Sequence, residues 1–156
     1  MTNTSPRFLA DYSLPVYTIN TVNLSINLED HQSTVHSELQ VERRVDKNDD
    51  LVLNGEHLTL VSVIVDKQIL DQNHYQVTDN LLIIAASSLP KSKQFSLQII
   101  TEVNPSKNTA LEGLFKSGDA FCTQCEAEGF RRISYYLDRP DVMATFTTKI
   151  IADKAL

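Results

Sequence analysis

Val22-Asn23-Leu24-Ser25-Ile26-Asn27-Leu28 alternates apolar and polar side chains without a break. A strand turns successive side chains to opposite faces, so this period of two predicts a strand with one face buried and one wet. Glu29-Asp30-His31-Gln32 follows as a turn. Beyond it, Val35, Leu39, Val41 and Val45 share one parity, while His36, Glu38, Gln40, Glu42 and Arg44 share the other. The two runs read as a hairpin over a core.

The same punctuation continues along the chain. Lys47-Asn48-Asp49-Asp50 is a turn cluster, and Leu51–Leu53 is a short strand ended by the turn dipeptide Asn54-Gly55. Leu58–Val65 is apolar on both parities and predicts a central strand covered on both faces. His74–Val77 and Leu81–Ala86 flank Thr78-Asp79-Asn80, a further hairpin signal. Phe95, Leu97, Ile99, Thr101 and Val103 alternate again. About seven short strands with turns between them predict an all-β fold with minor short helices, an antiparallel β-sandwich or a saddle-like β-domain. Residues 1–14 read as an irregular arm and residues 15–156 as the β-domain.

Composition limits the function classes. The chain has 156 residues, a net charge of −6 and 22% charged residues. One domain of this size buries enough surface to need no staples. The acidic balance disfavours nucleic acid, whose phosphates call for Lys and Arg. No apolar run is long enough for a membrane span, and no secretory leader is visible, so cytoplasmic residence is the expectation. The strand pattern returns over Met143–Ala152, and the chain stops soon afterwards without a terminal turn, which reads as a cut.

Residues 109–142 break the alternation. They hold three of the four Gly and both Cys. Cys122-Thr123-Gln124-Cys125 is a Cys-x-x-Cys, but His31, His36, His57 and His74 offer no His-x-x-x-His partner pair for a metal, and no βαβ context suggests a redox pair. Buried packing is the plainer reading for the thiols. Glu126–Ile133 reads as a short helix, and Asp138 as the cap of a helical turn beginning near Pro140. Arg131 and Asp138 read as an ion pair pinning the segment, or as two separate surface charges. Glu126 and Glu128 are either solvated carboxylates or a site for a cationic group.

Asn108-Thr109-Ala110-Leu111-Glu112-Gly113-Leu114-Phe115, then Thr123-Gln124-Cys125-Glu126-Ala127-Glu128-Gly129-Phe130-Arg131, then Tyr135-Tyr136-Leu137-Asp138-Arg139-Pro140-Asp141, resemble the N-terminal domain of the bacterial aminopeptidase N family. These are zinc-dependent, alanyl-preferring peptidases of the gluzincin class. The resemblance is specific over residues 108–153 and looser back to Asp11-Tyr12. It implies a saddle-shaped, largely antiparallel β-domain. It implies that Gln124 lines the pocket for the substrate's first side chain and that Glu126 binds the free α-ammonium of the peptide. Arg131, Asp138 and Pro140 match motif positions of structural character.

The chain contains no His-Glu-x-x-His, the helix that holds zinc and supplies the general base in that family. It has no Gly-Ala-Met-Glu-Asn segment either. The resemblance therefore implies that zinc and the catalytic domain belong to a longer parent, with no catalytic or metal-binding residue here. Neither Tyr135 nor Tyr136 takes the oxyanion role, which lies in the catalytic domain. The expected partners are peptide N-termini and that catalytic domain. The rival reading is a stand-alone β-sandwich module that binds peptides or proteins.

Overall fold

A computed structural model describes residues 8–154, apart from the side chain of Asp11. Residues 1–7 of the expected arm lie outside this range.

The long hairpin forms as the alternation requires. Strand β1 (Tyr17–Asn27) runs antiparallel to β2 (Ser33–Arg43), with Leu24 opposite Ser37 and Ile26 opposite Val35. Val22, Leu24, Ile26, Val35, Leu39 and Val41 are buried. Their neighbours Asn23, His36 and Glu38 face solvent. A bulge at Asn20, between the Ile19 and Thr21 pairings, adds one residue to β1.

Five further strands follow. They are β3 (Leu51–Asn54), β4 (Thr59–Val65), β5 (Gln68–Ile69) and the pair β6 (Tyr75–Val77) with β7 (Leu81–Ile84). Next come β8 (Gln94–Val103), β9 (Gly113–Ser117), β10 (Ala120–Gln124) and β11 (Thr145–Ile151). The main sheet has the order β11-β1-β2-β8-β4-β5, and β3-β7-β6 form a second sheet. Leu51 and Leu53 of β3 and Leu82 and Ile84 of β7 are buried in one cluster with the inner residues of the main sheet. Two sheets over a shared apolar layer make this an all-β domain. Its helical content among the described residues is confined to short 3-10 turns.

Three expectations change. β11 pairs with β1 in parallel, with Thr21 opposite Thr145 and Asn27 opposite Ile151, while the other ladders are antiparallel. β4 is not covered on both faces. Val63 and Val65 are buried, but Val61 is 52% exposed, and the neighbour on its outer side is the two-residue β5. A bulge between the Leu60 and Ser62 pairings turns Val61 outward, so apolar residues on both parities did not mean burial on both faces. No helix begins at Pro140; residues 139–141 form a turn.

Candidate functional site

The segment without alternation is a second hairpin followed by a braced turn. β9 and β10 meet through Gly118-Asp119, with Ser117 opposite Ala120 and Gln124 opposite Gly113. Gly118 has φ +60, the conformation a two-residue hairpin of this type asks of its first central residue. β10 thus delivers Gln124 to the end of the hairpin, where the chain turns.

Residues 126–129 form that turn, and Phe130–Arg132 is a single 3-10 turn. The expected helix over Glu126–Ile133 is therefore only its last part. The Gly129 amide donates to the Cys125 carbonyl at 2.8 Å. A Cβ on Gly129 would lie 2.5 Å from the Gln124 carbonyl oxygen, so only glycine lets the chain close this tightly. The Glu126–Ala127 peptide is cis. The Gln124 side-chain amide donates to the Glu126 carbonyl at 3.3 Å. Gln124 and Glu126 are both exposed.

The two carboxylates differ in their surroundings. Glu128 pairs with Arg131 at 3.3 Å. The Glu126 carboxylate makes no hydrogen bond or ion pair with any described residue. Folding has left one anionic group at the turn unspent, next to an amide that can accept or donate.

Arg131 and Asp138 come together. The Arg131 Nε donates to Asp138 Oδ2 at 2.9 Å, its backbone N–H reaches the same oxygen at 3.2 Å, and Nη2 donates to the Asp138 carbonyl at 2.9 Å. The two side chains are 14% and 11% exposed. This commitment explains why Asp138 caps no helix: its carboxylate is taken. Pro140 is exposed in the following turn, away from the ion pair's contacts.

Several contributors were not singled out in the sequence. Glu56, on the turn after β3, contacts Arg132 at 2.8 Å and Arg131 at 3.9 Å, and Glu112 contacts Arg132 at 3.1 Å. No local pattern in the sequence marks Glu56 or Glu112, because their arginine partners lie far along the chain. Arg139 grips Asp141 bidentately at 2.7 Å, and Tyr12 donates to the same carboxylate at 2.9 Å. The Arg139 hydrogen bonds hold the Asp141 carboxyl below its ordinary range. The Arg139 Nη2 also donates to the Ser13 carbonyl, so the described end of the arm is clamped to the 139–141 turn.

Phe130 packs edge-on against Tyr136 and Phe146, with ring centroids 5.1 and 5.4 Å away, and joins the turn to β11. The Tyr136 phenol is pushed up to about 12 by burial and by the charge of Asp138. Burial, and then the same charge, raise the Cys125 thiol. A raised thiol stays protonated at neutral pH and is a poor nucleophile or metal ligand. Among the described residues no group of three or more His, Cys, Asp or Glu could hold a metal ion, so the donor set does not fit zinc.

Residues 12–156 match the Peptidase M1 N-terminal domain, and the chain belongs to that family. Within it, the chain is 48% identical over 148 residues to Aminopeptidase N of Escherichia coli, across 95% of this chain and 16% of the relative. It is 45% identical to Aminopeptidase N of Caulobacter vibrioides, across 93% of this chain and 16% of the relative. The chain thus spans about a sixth of the length of the curated relatives it matches. A crystal structure of aminopeptidase A of Legionella pneumophila in complex with aspartic acid superposes with a TM-score of 0.82 at 34% identity, over 92% of this chain and 17% of that one. Native yeast LTA4 hydrolase, at 19% identity and a TM-score of 0.72, shares the fold.

Proposed function

We propose that this domain forms one wall of the active-site cleft of a zinc aminopeptidase, and that Glu126 and Gln124 hold the substrate's N-terminal residue. The observation that carries the reading is the exposed Glu126 carboxylate, without a partner on a turn whose other charges are paired. An exopeptidase must measure the chain end, and a fixed carboxylate does this by pairing with the α-ammonium in a charge-assisted hydrogen bond. Gln124, held to the Glu126 carbonyl, lies beside that ammonium position and lines the space for the first side chain. Arg131 and Asp138 keep the turn in place.

Zinc, the water it activates and the proton transfers belong to the rest of a longer polypeptide, since this donor set does not fit the metal. The names of the relatives support the activity, and their length supports the division of labour. So does an apolar surface left open on the domain: Met143 is 85% exposed, Ile150 62% and Phe146 46%. Exposed apolar side chains gathered on β11 and just before it fit contact with further protein. The catalytic domain is the partner we assign to this surface.

In the polypeptide that joins this domain to its catalytic part, Glu126→Gln is expected to lower kcat/KM for aminoacyl anilides roughly 10- to 150-fold. That is the equivalent of about 1.5–3 kcal/mol for one charge-assisted contact. The melting temperature stays unchanged, because the carboxylate supports nothing in the fold. Unaltered kinetics would overturn the assignment.

A further inference from the structure

Glu126 makes no side-chain contact that fixes it, so its position depends on the backbone of residues 125–129. That backbone is held at both ends by arginines. On one side Arg131 reaches Glu128 within the turn. On the other, Arg132 reaches Glu112, whose neighbour Gly113 is the strand partner of Gln124. Arg132 also lies directly under the hairpin, since a Cβ on Gly113 would sit 2.5 Å from its Cβ. The two flanks of the Gln124–Glu126 segment are thus held by consecutive arginines.

One carboxylate contacts both arginines. Glu56 Oε2 lies 2.8 Å from Arg132, and Oε1 lies 3.9 Å from Arg131. The backbone around it is tied to the same segment. The Glu56 amide donates to the Arg131 carbonyl at 2.9 Å, Asn54 and Tyr136 exchange hydrogen bonds at 2.7 and 3.0 Å, and the Asp138 amide donates to the Asn54 side chain. The Glu56 side chain is 24% exposed and the arginines less. Screening is weaker there than at the open surface, and the geometry persists better than that of a solvated pair.

We propose that Glu56 is a positioning residue for the substrate ammonium, acting through Arg131 and Arg132 on the turn that presents Glu126. The proposal rests on the reading of Glu126 given above. Glu56 touches no substrate. It sets where the Glu126 carboxylate stands, and a small displacement at a recognition group is enough to weaken binding of what that group recognises.

The test uses two inhibitors of the joined polypeptide, leucine hydroxamate and isocaproic hydroxamate, which differ only in the amine. Glu126→Gln is expected to abolish the preference for the amine-bearing compound. Glu56→Gln is expected to reduce that preference by about tenfold, the scale of a misplaced recognition group, with inhibition by isocaproic hydroxamate unchanged. Glu56→Asp, which keeps the charge, retains more of the preference and serves if the Gln variant folds poorly. If Glu126→Gln removes the preference while both Glu56 variants keep it, the positioning role is overturned and the Glu126 reading stands. Should Glu126→Gln keep it, the reading beneath the proposal falls. Independently, hydrogen exchange at the Gly129 amide in the 156-residue chain reads the brace itself: exchange several-fold faster in Glu56→Gln supports it, and unchanged exchange refutes it.

Discussion

Glu42, on the outer face of the main sheet, is held by three side chains. Asn20 donates at 2.8 Å, Gln94 at 3.0 Å, and Lys93 lies 2.9 Å away. These bonds, led by that from Asn20, lower its carboxyl from 4.5 to about 2. A carboxyl lowered in the folded state binds its proton more readily in the unfolded chain, so stability rises with pH across that interval. The contribution is full above the ordinary value and disappears as pH falls towards the folded one. Glu42→Gln is therefore expected to flatten the loss of stability between pH 4.5 and about 2. Urea midpoints of both proteins across that range check it; parallel curves would sink the idea.

At the scale of elements, the β9–β10 hairpin depends on Gly118. A Cβ there meets nothing within 4 Å, so the strain of its positive φ can be tested without a clash. Gly118→Val is expected to destabilise the chain by roughly 1–2 kcal/mol through that backbone strain, read as a lower urea midpoint with an unchanged slope. An unshifted midpoint would mean that the turn relaxes.

The same hairpin shows where sequence reading stops. β1 and β2 were legible because one face is dry and the other wet, as Val22 and Asn23 show side by side. β9 was not: Gly113 and Leu114 are both buried while Ser117 is exposed, so no alternation marks it. Its Gly118-Asp119 turn was the available signal. β5 was hidden in another way, since its turn places Asp66 and Lys67 at positive φ without any glycine. At the site, the motif around Gln124 and Glu126 was conspicuous in the sequence. Glu56 was not, because an ion pair to residues so distant in the chain leaves no local pattern.

For the whole molecule, the proposed function separates chemistry from recognition. The described residues offer no metal-binding group, and the Glu126 carboxylate, unpaired on a turn where Glu128 is paired, is suited to binding an ammonium. The 156-residue chain by itself is expected not to hydrolyse aminoacyl anilides, with or without added zinc. Turnover sensitive to a chelator, from protein free of contaminating peptidase, would contradict this.

The parallel pairing of β1 with β11 has a consequence for synthesis. The two strands are more than a hundred residues apart in sequence. As a ribosome releases the chain, the β1–β2 hairpin emerges early, with one edge of β1 open. Its natural cover, β11, is made on the order of ten seconds later at common rates of translation. During that interval an unpaired strand edge is available to any other nascent chain. The parallel strand that covers the β1 edge thus also sets how long the growing polypeptide needs protection there.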